Sequence, residues 1–359
     1  MKRIAHSRPL LGAAEQRAVR RVLASGLLAE GKEVERFERE IAHRLRRRHA
    51  AAVGSGSAAL HLALVALGVG PGDRVAMPSY VCTALLHATD MVGAEPLIVD
   101  IDPTTFNLDP DDLRKRLRSR TRAVIVPHMF GLPARIRDIE SYGVPIIEDC
   151  ALALGAKCGT EPVGSLGVIS IASFYATKVI ATGEGGMVLS NRARLIERVR
   201  DSRSYDSRPR YRRRFNYKMT DLQAALGRVQ LRRLSRFVAR RRRLATLYAR
   251  ELSGGPWELP SVEGGHSFYR FVARPRSKTA RLLDELGRRG IEARRPVFRP
   301  LHRYLGLKGF PGAEEAYRRA VSIPLYPALS TSEAERVARV TRRVGEILTW
   351  SRQEYAKNV

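Results

Sequence analysis

Three groups with complementary chemistry follow one another along the chain. A turn rich in glycine and serine, Gly54–Ser57, comes first, an acidic residue, Asp149, comes second, and Lys178 follows it by 29 residues. A pyridine aldehyde that carries a phosphate needs donors for the phosphate, a carboxylate for the ring nitrogen and an amine for a Schiff base. The order and types of these residues therefore favour a site for such a cofactor.

Lys178 is the most specific of the three signals. A single lysine is usually a solvated surface residue. Lys178 instead follows a run that predicts a strand, has the uncharged neighbours Ile180 and Ala181, and precedes the turn Gly183–Gly186. A desolvated lysine close to other positive charge becomes a competent nucleophile and base. We expect Lys178 to be catalytic.

The turn and the acid are weaker signals when each is taken alone. A Gly/Ser turn before a helix is more often only an N-cap, and an acid at a strand end often caps the next helix. The amides of Gly56, Ser57 and Ala58, with the Ser57 hydroxyl, could nevertheless bind a phosphate at a helix N-terminus. Ligands of open parallel sheets bind beyond the carboxyl ends of the strands, where we expect Asp149.

The elements that must position these residues indicate a parallel α/β fold. From about residue 50, short apolar runs alternate with longer helical patterns, which predicts a parallel sheet covered by helices. The predicted strands are 75–77, 97–100, 123–126, 145–147, 169–173 and 186–190. Shorter elements after about residue 240 indicate a smaller α+β domain. We therefore predict a large domain at 1–235, which includes an N-terminal arm, and a small C-terminal domain at 236–359.

Composition restricts the location and the partners. Three cysteines in 359 residues indicate reduced thiols, and no segment resembles a signal peptide or could span a bilayer, so we expect a cytoplasmic protein. The net charge of +28 would suit nucleic acid or an anionic membrane. The basic clusters at 46–48, 212–214 and 240–243 are scattered, however, and lack the interleaved aromatics of a base-stacking surface. Solvated basic faces are favoured over a phosphate-rich small substrate, and nucleic acid is the weakest alternative.

Together these motifs resemble the DegT/DnrJ/EryC1/StrS family of sugar aminotransferases, which are pyridoxal-phosphate enzymes of the aspartate-aminotransferase fold (fold type I). The resemblance covers nearly the whole chain. It is carried by residues 7–9, 54–57, 78–80, 99–102, 148–149, 173–178, 183–186, 216–221 and 322–327. It implies a large domain with a mostly parallel, seven-stranded sheet between helices, and a smaller α+β domain.

The resemblance also implies roles residue by residue. Lys178 would bind the cofactor and shuttle the proton, Asp149 would pair with the ring nitrogen, and Asn216 would reach the phosphate from the neighbouring subunit of a homodimer. The implied cofactor-binding residues are Gly56, Ser57, Ala58, Cys82, Asp149, Ser173, Lys178 and Asn216. Candidate substrate contacts are Tyr80, His128, Glu184, Arg295 and His302, and no metal is expected. His128 and Asn216 could equally be ordinary loop residues.

Members of the family usually take the amine from glutamate or glutamine and give it to a keto-sugar attached to a nucleotide, in sugar, polysaccharide or secondary-metabolite biosynthesis. Sugar dehydratases of this fold replace the lysine with histidine, so Lys178 favours transamination. The expected partners are these small molecules and a second copy of the chain, without membrane insertion or nucleic acid. Arginines at 203–214, Arg294, Arg295 and Arg299 are candidates to attract the nucleotide phosphates.

The chain departs from the family pattern around the cofactor ring. Cys82 stands where most members have an aromatic residue, and Leu152 stands where a glutamine or histidine bonds the phenolic oxygen. Leu154 replaces a histidine of many members. Losing one hydrogen bond to a charged group costs about 1.5–3 kcal/mol, which weakens binding without abolishing it. These departures motivate an alternative function, in which a protein of this fold binds the cofactor but has a different or lost reaction.

Overall fold

A computed structural model of the chain describes residues 3–206, 209–262 and 264–357. Helices and strands alternate from residue 49 onward, as the apolar periodicity predicts. In chain order the elements are α1 (Ala13–Ser25), α2 (Lys32–Arg44), β1 (His49–Val53), α3 (Gly56–Leu67), β2 (Arg74–Pro78), α4 (Ala84–Met91), β3 (Glu95–Val99), α5 (Pro110–Arg116), β4 (Thr121–Pro127), a 3-10 turn (Met129–Gly131), α6 (Ile136–Glu140), β5 (Ile146–Asp149), β6 (Lys157–Cys158), β7 (Glu161–Pro162), β8 (Ile169–Ser173), β9 (Gly186–Ser190), α7 (Ala193–Ser202), α8 (Asp221–Arg232), α9 (Leu234–Leu252), β10 (Trp257–Glu258), β11 (Phe271–Pro275), α10 (Thr279–Arg288), α11 (Leu301–Tyr304), α12 (Pro311–Arg319), β12 (Val321–Ile323) and α13 (Thr331–Lys357).

A seven-stranded sheet with the order β1-β9-β8-β5-β4-β2-β3 forms the centre of the fold. β8, β5, β4, β2 and β3 are parallel to one another, whereas β9 runs antiparallel to both β8 and β1. The interior strand β4 is apolar on both faces, as expected where helices cover both sides of a parallel sheet, and its residues 123–126 are fully buried. The predicted fold class and the six predicted strands are confirmed. The reversal of β9 was not predicted.

The topology brings Asp149 and the segment that carries Lys178 to the same edge of the sheet. β5 ends at Asp149, and its parallel neighbour β8 ends at Ser173, so both chain segments emerge at the carboxyl edge. The segment after β8 returns to β9 through a closed loop, in which the Thr182 N–H donates to the Phe174 carbonyl at 2.8 Å. The Lys178 N–H donates to the Tyr175 carbonyl at 2.8 Å, so the lysine sits in a fixed turn.

The C-terminal part builds a second core around the antiparallel sheet β10-β11-β12, which packs with α9, α10 and α13. Ile4 of the N-terminal arm belongs to this core and pairs with Ile291. Conversely, Phe310 and Ala313 pack into the core of the large sheet. Each core thus contains residues from both sides of position 235, and the division at that point stays a prediction.

Among the described residues, every helix is too short or too polar to cross a membrane. The cytoplasmic location stays a prediction.

Candidate active site

A cavity of about 410 Å³ opens at the carboxyl edge of the large sheet. Lys178, Asp149 and Cys82 line it together, although up to 96 residues separate them in the chain. A larger hollow of about 790 Å³ lies between α2 and α9, and its lining contains none of the predicted catalytic, cofactor-binding or substrate residues. The chemistry of the lining side chains, rather than size, therefore identifies the smaller cavity as the candidate site.

Asp149 is a buried acid without a full counter-charge. Its side chain is 6% exposed, and its Oδ1 accepts the Ala151 N–H at 2.8 Å. Burial raises the pKa of Asp149, and the Ala151 N–H and the charge of Lys178 oppose this only in part. An ionised carboxylate in such a place requires a positively charged or N–H partner. A protonated pyridine nitrogen would supply that partner, so Asp149 fits the predicted cofactor.

A buried network holds the end of β5 from the opposite face. Glu148 accepts backbone N–H groups from the turn 164–167, and His128 Nε2 lies 3.1 Å from its Oε1. His128 Nδ1 accepts the Ala134 N–H at 2.9 Å, which assigns the proton to Nε2. Burial raises the pKa of Glu148, but the bonds from His128 and the backbone outweigh it and lower the pKa overall. The network fixes the strand that presents Asp149.

His128, Glu148 and Cys150 bring potential metal ligands within 4.8 Å of one another. Both His128 ring nitrogens and both Glu148 oxygens already have hydrogen-bond partners, so this cluster is a structural network rather than an open ligand set. His128 is fully buried and its neighbours Pro127 and Met129 line the cavity in its place. A direct substrate contact for His128 stays a prediction that the geometry does not favour.

The turn before α3 provides a concave backbone surface next to Ser173. A Cβ added at Gly56 would lie 2.7 Å from Ser173 Cβ, so only glycine allows this approach. Ser55 caps the helix by accepting the Ala58 N–H at 3.0 Å, which leaves the N–H groups of Gly56 and Ser57 at the positive end of a 12-residue helix. The Ser57 side chain is exposed. This cradle fits a phosphate. The Ala58 N–H already bonds to Ser55, and its contact with the phosphate stays a prediction.

The segment that carries Asn216 runs beside the same turn. The Gly54 N–H donates to the Tyr217 carbonyl at 2.7 Å, and the Asn216 side chain is exposed. A role for Asn216 across a dimer interface stays a prediction.

None of the five predicted substrate contacts is among the residues that line the cavity. Tyr80 is 1% exposed, packs on Phe106, and burial raises the pKa of its phenol. Arg295 donates to the Tyr317 carbonyl and stacks on that ring. Glu184 is exposed, on the turn between the lysine loop and β9. The geometry gives Tyr80 and Arg295 packing roles, and their substrate roles stay untested predictions.

His302 lies behind the cavity wall rather than in it. Its Nδ1 is 2.6 Å from Ser79 Oγ and its Nε2 is 2.7 Å from Glu314 Oε1, and the ring stacks on Phe310. The segment 296–304, which includes His302, supplies one wall of the cavity. His302 therefore ties that wall to the large core.

Sequence reasoning missed two residues that line the cavity next to Lys178. The Tyr269 ring centroid lies 5.5 Å from Lys178 Nζ, and the Tyr269 hydroxyl lies 3.3 Å from both Thr177 Oγ1 and Arg270 Nη2. Burial raises the pKa of Tyr269, but the charges of Lys178 and Arg270 outweigh it and lower the pKa overall. Tyr269 and Arg270 precede β11 in an apolar run that indicates only a core strand. Nothing local distinguishes Arg270 in a chain with 64 lysines and arginines.

Residues 9–342 match the DegT/DnrJ/EryC1/StrS aminotransferase family. The chain belongs to this family. It is 35% identical over 332 residues to GDP-perosamine synthase of Caulobacter vibrioides, covering 86% of this chain and 88% of that enzyme. The solved aminotransferase TlmJ of Streptoalloteichus hindustanus is 33% identical, covers 96% of this chain and 100% of its own, and superposes with a TM-score of 0.92.

A third relative bears on the cofactor. The putative sugar aminotransferase Spr1654 of Streptococcus pneumoniae is 25% identical and has been solved in a PLP form and a PMP form, with TM-scores of 0.90 and 0.92. The PLP form covers 96% of this chain and 99% of its own, and the PMP form covers 98% and 100%. The predictions of the family, fold type I, an aminotransferase activity and pyridoxal phosphate are confirmed.

Proposed function

We propose that this chain is a pyridoxal-phosphate-dependent aminotransferase that moves an amino group from an amino acid, glutamate or glutamine, to a nucleotide-linked keto-sugar. The observation that carries the proposal is the joint placement of Lys178 and Asp149 in one cavity, with the Gly56 cradle formed by the neighbouring strand ends. The relatives named for GDP-perosamine synthesis and for sugar amination support the sugar as acceptor.

Each group has a distinct task in this reaction. Pyridoxal phosphate, when bound, supplies an aldehyde for amines and an electron-withdrawing ring that stabilises negative charge on the substrate carbon. Lys178 Nζ would hold that aldehyde, would take the proton from the donor carbon that loses nitrogen and would supply a proton to the acceptor carbon that gains it. Asp149 would keep the ring nitrogen protonated, and the N–H groups of Gly56 and Ser57 with the hydroxyls of Ser57 and Ser173 would bind the phosphate.

The cavity mouth suits an acceptor with a phosphate-bearing end. Arg299 lines the cavity, is exposed and lies over the Tyr304 ring at 5.1 Å. An exposed arginine at the entrance attracts a nucleotide diphosphate by charge. Part of the predicted arginine-rich segment, residues 207 and 208, lies outside the described residues. The homodimer, in which Asn216 completes the phosphate site of the partner, belongs to the same proposal.

The test is amine transfer to a panel of nucleotide-linked keto-sugars, with glutamate or glutamine as donor and mass spectrometry of the product. Formation of an amino-sugar by the wild type, and its loss in Lys178→Ala, would support the proposal. Lys157→Ala is the matched control, because Lys157 lies at the other hollow. Cofactor binding without transfer to any acceptor would instead favour the alternative function suggested by Cys82 and Leu152.

A further inference from the structure

Arg270 is a cation at the active-site cavity with only neutral partners. Its Nη1 lies 2.8 Å from His6 Nδ1 and 2.9 Å from His6 Nε2, and its Nη2 donates to the Tyr269 hydroxyl at 3.3 Å. Among the described residues, no carboxylate pairs with it. A guanidinium has five N–H donors, so these contacts leave the Nε–H and one hydrogen on Nη2 for a ligand.

His6 holds Arg270 in this position. His6 is 4% exposed, and its Nε2 lies 2.9 Å from Ser322 Oγ. Arg270 Nη1 is within hydrogen-bond distance of both ring nitrogens, so the unprotonated nitrogen of the neutral ring accepts from it. Burial, with the nearby charge of Arg270, lowers the pKa of His6 to about 3, so the ring stays a neutral acceptor. The N-terminal arm thus fixes the guanidinium at the cavity wall.

A second uncompensated cation lies beside it. Arg241 is 3% exposed, its Nη1 donates only to backbone carbonyls, including that of Tyr269, and its Nε has no partner among the described residues. The charges of Lys178, Arg270 and Arg241 therefore all act on Tyr269, while Asp149 is the acid that lines the cavity with Lys178 and Arg270. An excess of partly buried positive charge favours binding of an anion.

The cofactor and the acceptor place their anionic groups elsewhere. The phosphate cradle lies at Gly56 and Ser173, and a nucleotide-linked sugar carries its diphosphate on the anomeric carbon, away from the carbonyl that receives nitrogen. The amino-acid donor instead carries a carboxylate next to its amine, which must reach Lys178. A guanidinium binds a carboxylate through parallel N–H bonds, which is the geometry that the free face of Arg270 offers.

We propose that Arg270, positioned by His6 and Tyr269, binds a carboxylate of the amino-acid donor. This inference rests on the proposed function, because it assumes that an amino acid supplies the nitrogen at Lys178. Arg270 contacts the donor directly, whereas His6 acts through Arg270 and is a positioning residue.

The probes are glutarate, which has two carboxylates and no amine, and glutamate. Glutarate binding to the holoenzyme is measured by the change in cofactor absorbance, and the glutamate half-reaction by single-turnover kinetics. Arg270→Met is expected to weaken glutarate binding and to slow the glutamate half-reaction, each by about 10- to 100-fold, the loss typical of hydrogen bonds to a charged group. Arg270→Lys should recover only part of the affinity, since an ammonium cannot form the paired bonds. Arg276→Met removes an exposed arginine of the same segment and should change neither value.

His6→Ala as a second variant and the keto-sugar as a second ligand distinguish the proposal from its alternatives. His6→Ala should weaken glutarate binding while leaving the maximal rate of the half-reaction within about two-fold of the wild type. A variant with a general structural defect would lose both. His6→Ala also tests the proposal if Arg270→Met does not fold. Loss of keto-sugar affinity in Arg270→Met with unchanged glutarate binding would assign the site to the nucleotide phosphate and overturn the proposal. Unchanged binding of both ligands would also overturn it. Because glutarate binding needs no sugar, this test stands even if the wild type aminates none of the keto-sugars.

Discussion

At the scale of single residues, we propose that Asp149 supplies the charge that pairs with the ring nitrogen of the cofactor. Asp149→Asn keeps the shape of the side chain and its contact with Ala151 but removes the negative charge opposite the ring nitrogen. We expect the half-reaction with glutamate to slow by at least about 100-fold, in the range typical of a lost charged group at a reacting centre. Single-turnover absorbance measures the rate. A variant within a few-fold of the wild type would show that Asp149 does not serve the ring.

Leu152 tests the departure from the family pattern. It lines the cavity next to Asp149 and offers no hydrogen bond to the phenolic oxygen of the cofactor. Leu152→Gln is expected to tighten cofactor binding by about 10-fold, the value of one added hydrogen bond to a charged group. Titration of the apoprotein measures this. Leu154→Gln is the control, because Leu154 is 4% exposed and its change should lower stability without tightening the cofactor.

At the scale of elements, the start of α3 tests the phosphate cradle. In Gly56→Ala the new Cβ would lie 2.7 Å from Ser173 Cβ, so the turn or β8 must move. We expect weaker cofactor binding and a free energy of unfolding lowered by about 1–3 kcal/mol. Gly287→Ala, in α10, meets no atom within 4 Å and should raise stability by about 0.4–1 kcal/mol. Calorimetry and cofactor titration distinguish the two, and equal behaviour of both variants would argue against the cradle.

The elements also show what sequence can predict. Lys178, Asp149 and the Gly56 turn each sit at the end of a strand with a clear apolar pattern, so topology alone brings them to one edge. Tyr269 and Arg270 reach the same cavity from the segment just before β11, 91 and 92 residues after Lys178 in the chain. Which residues of a buried run face the cavity depends on how the second core docks on the large sheet, and no local spacing encodes that. For the same reason the sequence could not show that His302 and Tyr80, which are close in the chain to residues that line the cavity, pack into the core instead.

At the scale of the whole molecule, buried neutral histidines make the fold sensitive to acid. Burial lowers the pKa of His6 and of His266 to about 3, with nearby arginines adding to the effect. Both values lie below that of an unfolded histidine, so the unfolded chain takes up these protons first. Stability is therefore full above about pH 6.5 and falls as the pH drops towards 3. Each histidine contributes at most about 1.4 kcal/mol per pH unit between 6 and 4.

Urea unfolding at pH 7 and pH 5, where most carboxylates stay ionised, measures this effect. His266→Asn keeps an acceptor for the Phe268 N–H and should make stability less dependent on pH. His87→Asn, at an exposed position, should leave the dependence unchanged. An identical pH slope in the wild type and in His266→Asn would contradict the account.

The central claim is that Lys178 binds pyridoxal phosphate covalently and that the bound cofactor accepts nitrogen from an amino acid. Reduction of the holoenzyme with borohydride fixes the cofactor on its lysine, and peptide mapping identifies that residue. The account predicts a single labelled peptide that contains Lys178, no label in Lys178→Ala, and loss of the visible absorbance band when glutamate is added before reduction. A label on another lysine, or a band that no amino acid changes, would contradict it.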